Sequence, residues 1–369
     1  MELTIDRNEL LSSLYLVQGI VERRTTIPIL SNVLLQADGG SAMLAATDQE
    51  VGIRSRCAAV VKKKGSLTTA ARKLYEMVRE FPEGEVRIRS AENNWIEVSA
   101  GRSRFRLVGM DPREFPAMPE PPAAAKTTVR ISAQVLSEMI EHTVFAVSGD
   151  ETRANLNGVF MECVERGRLR MVATDGHRLA MITRAVEGTE LSKGVIVPRK
   201  AVMEMRKIIE AGDEPVELDL DGGLVHLRRG AVVMSARLVE GEFPDYNQVI
   251  PARSERLAFF ENSNVGAALR RVSIVSSERT RGVKVELSAE KIELSSINPE
   301  VGEGVEEVEV EYDGPPVSVG FNARYLIEAL GILPADARIE LGLNDEVSPG
   351  VLRPVGDTDY CYIVMPMRL

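Results

Sequence analysis

Residues 172–181 read Val-Ala-Thr-Asp-Gly-His-Arg-Leu-Ala-Met. A hydroxyl (Thr174), an acid (Asp175) and an imidazole (His177) within four residues are the raw parts of a general acid–base site. The chain has only three histidines, so one in such company raises the question of catalysis. The spacing is poor for an acid–imidazole pair in an extended segment. Residues i and i+2 then share a face but sit about 6.5 Å apart along the strand. A tight turn would bring them closer. The sequence has no nucleophile elbow, no zinc-protease motif, no P-loop and no dinucleotide-binding glycine pattern. His142, His177 and His226 lack metal-ligand spacing. A turn carrying a surface histidine, or a binding surface, competes with the catalytic reading.

Whatever this stretch does, its setting is an ordinary globular chain. Hydrophobic residues make up 44% of the 369 and charged residues 27%, which predicts two or three domains. The N-terminus has neither the basic start nor the apolar core of a signal peptide, and no apolar run is long enough to span a membrane. Cys57, Cys163 and Cys361 are odd in number and far apart, against a disulfide framework or a zinc site. A reduced, cytoplasmic setting is expected. The net charge of -10 argues against nucleic acid unless the 45 basic residues are clustered on one surface.

Internal repetition organises the chain. Leu30-Ser-Asn-Val-Leu-Leu, Leu156-Asn-Gly-Val-Phe-Met and Thr280-Arg-Gly-Val-Lys-Val align, with Asn32, Gly158 and Gly282 in matching places at intervals of 126 and 124. Ala46-Thr47-Asp48 recurs as Ala173-Thr174-Asp175, and Glu114-Phe115-Pro116 as Glu242-Phe243-Pro244. Each copy opens with a strand and a helix. Asp6 with Glu9 forms a capping-box variant ahead of a Leu10, Leu14, Val17, Val21 stripe; Ser132 caps a Leu136, Ile140, Thr143 stripe; Val265, Leu269 and Val272 form the third. Second helices are predicted from Ala71, Pro198 and Phe321. Between them, segments such as EVRIRS, WIEVSA, VHLRR and KIELSS alternate with period 2, as antiparallel strands do. The prediction is an α+β chain of three similar domains, 1–126, 127–253 and 254–369, joined by a Pro-rich connector at 116–122 and a shorter one at 249–253.

The repeat bears on the opening question. The first copy has Thr47-Asp48-Gln49-Glu50 where the second has Thr174-Asp175-Gly176-His177, and the third reads Ser296-Ile297-Asn298-Pro299. Thr-Asp recurs without the histidine, as expected of a turn whose carboxylate bonds nearby backbone N–H groups, with Gly176 supplying a positive φ. The C-terminus adds a second clue. Tyr362 to Leu369 ends apolar, with Met365 and Met367 around Pro366, where most chains end polar. Pro366 interrupts ladder pairing and methionine suits adaptable binding surfaces, so the tail is either a closing strand or the wall of a peptide groove.

Together ATDGHRLA, FPDY at 243–246, IPILSN at 27–32 and the ending VMPMRL resemble the bacterial sliding-clamp family, the beta subunits of DNA polymerase III, along the whole chain. The resemblance implies a DNA clamp fold: three similar domains of two helices packed on antiparallel sheets, paired head to tail into a six-domain homodimeric ring around duplex DNA. It implies a non-enzymatic processivity factor without cofactor or metal. The implied partners are double-stranded DNA, the replicative polymerase's catalytic subunit, the clamp loader, other polymerases and repair proteins carrying clamp-binding peptides, and a second copy, with no membrane.

Carried over by motif, Leu156, Thr174, Gly176, His177, Arg178 and Leu179 would line a peptide groove, with Pro244, Gln248 and Val249 beside them. Ile363, Val364, Met365, Pro366, Met367, Arg368 and Leu369 would complete it, His177 and Arg178 acting as walls and donors. DNA would meet Arg24 after the first helix, and Arg72, Lys73, Arg199, Lys200, Arg206 and Lys207 on the second helices; Arg153 is the candidate from the 148–155 loop. The recurrence of Arg-Lys at 72–73 and 199–200 favours a patch over a merely solvated face. Phe105 and Leu107 would meet Ile274 and Val275 across the dimer interface, or else lie in a domain core. A monomeric peptide-binding adaptor and a hydrolase using Asp175 and His177 are the competing functions.

Overall fold

The structure, a computed structural model, describes residues 1–21, 25–121, 128–165, 167–188, 193–210 and 214–368. Six α-helices fall within them: α1 (Arg7–Gln18), α2 (Ala71–Glu80), α3 (Ala133–Glu141), α4 (Arg199–Glu210), α5 (Asn262–Val272) and α6 (Ala323–Gly331). These are the six helices expected from the sequence. Asp6 caps α1 by accepting from the Asn8 and Glu9 amides, while Leu10, Leu14, Val17 and Val21 are buried. The capping box is half formed: the Glu9 carboxylate accepts from the Ala58 amide on a neighbouring strand. Ser132 accepts from the Val135 amide at the start of α3. Thr143 lies just past that helix, buried, its hydroxyl donating to the Met139 carbonyl.

Strand register confirms the repeat. Asn32–Asp38, Gly158–Glu165 and Gly282–Ser288 each pair antiparallel with the strand leading into the second helix of their copy. Asn32 sits opposite Ala70, Gly158 opposite Pro198 and Gly282 opposite Asn322. The three sequence-matched positions therefore occupy one structural place.

Two compact units divide the chain, and their borders cut through the second repeat. The first contains Met1–Ser137, Val186–Glu190 and Lys200–Leu238. Its sheet of fourteen strands is continuous because Val232–Arg237, the last strand of the second repeat, pairs with Val51–Ala58 of the first. The Pro-rich connector lies against this sheet: the Arg54 guanidinium donates to the Met118 and Pro119 carbonyls. The second unit contains Glu138–Ala185, Leu191–Arg199 and Val239–Leu369. Its eight-stranded sheet is joined the same way, Tyr360–Val364 of the third repeat pairing with Arg178–Ala185 of the second. A separate four-stranded sheet, with Gly302–Glu309 on its edge, completes the third repeat. The first two repeats thus each offer the strand after their Thr-Asp turn to the last strand of the next repeat, while Gly302–Glu309, after the Asn298 turn, stays on a sheet edge.

Gly158 shows how tight the repeated position is. A Cβ there would lie 2.5 Å from the Val197 carbonyl oxygen and 2.9 Å from Ile196 Cγ2. Backbone cannot yield as a flexible side chain can, so Gly158→Ala is expected to lower stability by about 1–3 kcal/mol. A fall in the thermal unfolding midpoint would check this; an unchanged midpoint would mean that the strand pair can spread.

Candidate functional site

The Thr174–Arg178 segment is a hydrogen-bonded turn. Asp175 Oδ1 accepts from the His177 and Arg178 amides at 2.9 and 3.1 Å, and Thr174 Oγ1 donates to the Arg178 carbonyl and accepts from Gly176. Gly176 has φ +89°. The first repeat builds the same turn: Asp48 Oδ1 accepts from Glu50 and Val51, Thr47 bonds Val51 and Gln49, and Gln49 takes φ +79° despite its Cβ. In the third, Asn298 Oδ1 accepts from the Glu300 amide. The carboxylate of Asp175 is therefore spent on backbone and on Arg178 Nε, at 3.1 Å. His177 is exposed, its carbonyl accepting from the Met365 amide. The acid–imidazole geometry that would carry hydrolysis is not formed. His142 Nδ1 is within 2.8 Å of the Glu138 carbonyl, and buried His226 within 2.8 Å of the Ser235 hydroxyl, so these two serve packing. Burial pushes the Cys57 thiol up to about 11 and raises that of Cys361, which suppresses both thiolates.

Arg178 departs from its expected role as a donor facing a ligand. It is buried, and its guanidinium donates to Asp175, to Glu328 Oε2 at 2.5 Å and to the Phe145 carbonyl at 2.6 Å. It also lies over the Tyr325 ring at 4.5 Å. Burial would push the Glu328 carboxyl up, but the bonds from Arg324 and Arg178 outweigh it and hold the group below its ordinary value. Glu328 is thus charged at neutral pH, and Arg178 is a fixed strut.

Beside the turn lies a buried apolar cluster, the floor of the candidate groove: Val172, Leu179, Tyr246, Val351, Cys361 and Ile363, with the half-buried Phe160, Met181, Phe243 and Ile250 packed against it and carrying its accessible surface. Phe160 and Phe243 stack with centroids 4.8 Å apart and planes 7° apart. Tyr246 donates to Glu162 and accepts from Arg170, which fixes the 243–250 segment over the sheet. Pro244 and Gln248 are exposed, and Val249 is 38% exposed; the Gln248 amide is folded back on Asp245 Oδ2 at 3.1 Å. Leu156 and Leu179 are buried.

The tail divides in two. Ile363 and Val364 are both buried, Ile363 in that cluster and Val364 in the ladder, so neither has surface to offer a ligand in this conformation. Met365, Pro366 and Met367 are half-buried and Arg368 is exposed. This segment does not leave its strand loose, as the proline suggested. The Met365 amide donates to His177 and the Met367 amide to Gly320, and Pro366, lacking N–H, occupies the position between. Leu369 lies outside the described residues.

Arg153 also moves. Its Nη1 lies 3.4 Å from the Asp175 carbonyl and 3.1 Å from where a Gly176 Cβ would be, so it borders this turn. Phe160, Phe243, Tyr325 and Glu328 were not singled out from sequence. Phe243 lies in the FPDY motif, but nothing local marks Glu328, 150 positions from Arg178.

Of the cations on the second helices, Arg72 donates to the Val21 carbonyl and is half-buried; Lys200 bonds Asp48. The matched Arg-Lys pairs are therefore not matched in exposure: Lys73 and Arg199 are the exposed members. Lys73 pairs with Glu76, Arg206 with Glu210 and Lys207 with Glu204. Arg24 lies outside the described residues. Phe105 (44%) and Ile274 (78%) are exposed, and Leu107 and Val275 half-buried, so these four are not a domain core.

Among the described residues no helix is long and apolar enough to cross a membrane. Family models match the whole organisation: DNA polymerase III beta subunit, N-terminal domain, over residues 1–119, central domain over 130–245 and C-terminal domain over 247–368. The beta sliding clamps of Caulobacter vibrioides and Escherichia coli K12 are 39% and 33% identical, each alignment covering 100% of both chains. A crystal structure of the DNA polymerase sliding clamp from Pseudomonas aeruginosa, 36% identical and covering 100% of both chains, superposes with a TM-score of 0.94. So does a sliding clamp from Bartonella birtlesii bound to griselimycin, 34% identical over 100% of both chains, TM-score 0.94.

Removing the Arg178 guanidinium takes a charged partner from each of two carboxylates, Asp175 and Glu328. Arg178→Ala is expected to cost about 3 kcal/mol, near the low end for a buried pair because Asp175 and Glu328 are partly exposed. Arg178→Lys should recover only part, since an ammonium cannot reproduce the planar fork. Urea unfolding of the three proteins checks both; equal stability of all three would exclude a strut.

Proposed function

Because this chain belongs to the DNA polymerase III beta subunit family, the beta sliding clamps, we propose that its Thr174–Leu179 turn, 243–250 segment and C-terminal tail form the groove that captures partner peptides. The chain is a clamp, a non-catalytic subunit that encircles duplex DNA and confers processivity. The observation that carries the groove is the apolar cluster built on Leu179 and Ile363 and covered by the half-buried Phe160–Phe243 stack, with half-buried Met365 and Met367 continuing the chain from Ile363. Such a floor takes apolar anchors, and the exposed His177, Arg153 and Gln248 supply polar groups at its rim. Partners are the replicative polymerase, the clamp loader, and other polymerases and repair proteins bearing such peptides. The clamp is divided into domains 1–126, 127–253 and 254–369 and works in the cytoplasm.

Repeat logic supports a head-to-tail dimer. Within the chain, the strand after each Thr-Asp turn pairs with a last strand: Val51–Ala58 with Val232–Arg237, and Arg178–Ala185 with Tyr360–Val364. Two counterparts remain. Gly302–Glu309 is an edge strand, and Ser103–Met110 pairs along one side with Trp95–Ala100 but on the other only at Gly109 and Met110. An open edge invites a second chain. Arg104 and Arg106 on one edge complement Glu303, Glu306, Glu307 and Glu309 on the other, and Phe105, Leu107, Ile274 and Val275 would supply apolar contact. Exposed Lys73 and Arg199, with Arg206, Lys207 and Arg24, are the proposed DNA contacts.

Ile274→Asp combined with Val275→Asp is expected to yield a monomer by sedimentation; a persistent dimer would remove these residues from the interface. The encircling function is tested by loading the protein onto nicked circular plasmid with a clamp loader and sizing in high salt. Retention on circles with loss after linearisation is expected, since salt removes simple phosphate binding. Loss from both, with a control clamp retained, would leave a peptide-binding adaptor.

A further inference from the structure

The two junctions between repeats are latched at equivalent places but by different charges. At the first, Asp48 of the turn meets Lys200 on α4. At the second, the residue matching Val51 is Arg178, by the 127-residue interval, and the helix residue matching Lys200 is Arg324, by the 124-residue interval. A second cation facing Asp175 would leave positive charge uncompensated at a buried site. Glu328 supplies the compensation: one carboxylate oxygen takes Arg178 Nη1 and the other Arg324 Nε, both at 2.5 Å. The matching residue on α4 is Glu204, buried, with one oxygen on Lys207 and the other 2.9 Å from where a Gly19 Cβ would sit. By strand register the first repeat has Glu76 at this position, exposed and paired with Lys73 of its own helix. The acid is withdrawn from solvent on the two helices that meet a preceding repeat in the same chain and exposed on the one that does not.

We infer that Glu328 is a positioning residue for peptide capture: from the third repeat it holds Arg178, and through Arg178 the turn that bounds the groove. The chain of contacts is short. Glu328 fixes the guanidinium, the guanidinium binds Asp175 Oδ2, and Asp175 Oδ1 holds the His177 and Arg178 amides. The His177 carbonyl in turn anchors Met365. The turn leads into Leu179 and the tail leaves from Ile363, both in the apolar cluster, so one carboxylate outside the groove bears on the spacing of its walls. Glu328 itself touches none of the floor's residues by hydrogen bond; it acts through Arg178. The inference rests on the peptide-groove reading.

The test is fluorescence anisotropy with a fluorescein-labelled pentapeptide ending in Leu-Phe, alongside amide hydrogen exchange at His177 and Arg178. Glu328→Ala is expected to weaken the peptide about tenfold, within the range for a residue coupled to a site through one neighbour, and to speed exchange at both amides. Glu328→Gln, which keeps an acceptor without charge, should fall between Ala and the native protein, and carries the test alone if the alanine variant does not fold. Arg324→Ala removes the other partner of Glu328 and should leave affinity within about twofold. Native affinity and exchange in the folded Glu328 variants, even with a lower melting temperature, would make Glu328 structural only and overturn the inference. Failure of the native protein to bind the pentapeptide would overturn the groove reading, and this inference with it.

Discussion

The ladder pairing Arg178–Ile182 with Val364–Tyr360 closes the second repeat onto the third and brings the C-terminal tail alongside the Thr-Asp turn. Without it, Ile363 could not join Leu179 and Val172 in one apolar floor, and Met365 would have no carbonyl at His177 to meet. Backbone pairing is indifferent to side-chain identity, so it can hold position while the residues around it vary. It also fixes register strictly: a one-residue slip of Tyr360–Val364 would turn Ile363 away from Leu179 and out of the apolar cluster. The turn sets where that ladder starts. Its Asx geometry is set by Asp175 and needs a left-handed residue next, which glycine supplies in the second repeat. In the first repeat Gln49 adopts that conformation, which is uncommon for a side chain with a Cβ, so the turn's bonds outweigh its local preference.

Much of the fold was legible because it depends on short-range patterns. Stripes at helical spacing marked α1, α3 and α5, period-2 alternation marked the strands, and the interval near 126 marked the three copies. The position shared by Asn32, Gly158 and Gly282 was visible as a match between strings and proved to be one register place. The continuity of sheets from repeat to repeat was not visible. Nothing in Val232–Arg237 says that its partner is Val51–Ala58, since any alternating strand can complete any open edge.

The site was legible where a motif coincided with a chemical oddity and opaque where a partner lay far off in sequence. Asp175 was read correctly as a turn acid because Asp48 repeats it without a histidine. Arg178 was misjudged as a free donor. An arginine next to a binding-type histidine looks available until the structure supplies Glu328, Phe145 and Tyr325 around it. Arg72 and Lys200 were misjudged for a related reason: recurrence identifies equivalent positions, but a cation's exposure depends on which carbonyl or carboxylate the neighbouring repeat presents.

That last point reconciles an acidic chain with a DNA-encircling function. Two of the cations on α2 and α4 carry an exposed acidic partner on the same helix, Glu76 for Lys73 and Glu210 for Arg206, whereas Lys207 is held by buried Glu204. Exposed pairs of this kind are worth a few tenths of a kcal/mol, about 0.3–0.5 at helical spacing, so a phosphate can displace the carboxylate at little cost and gains little by doing so. Contacts made on those terms are weak and readily exchanged. A protein that held DNA by affinity would need its cations unpaired and gathered, and its net charge would show it. One that holds DNA by enclosure needs only a surface that does not repel phosphate, and a net charge of -10 is compatible with that requirement.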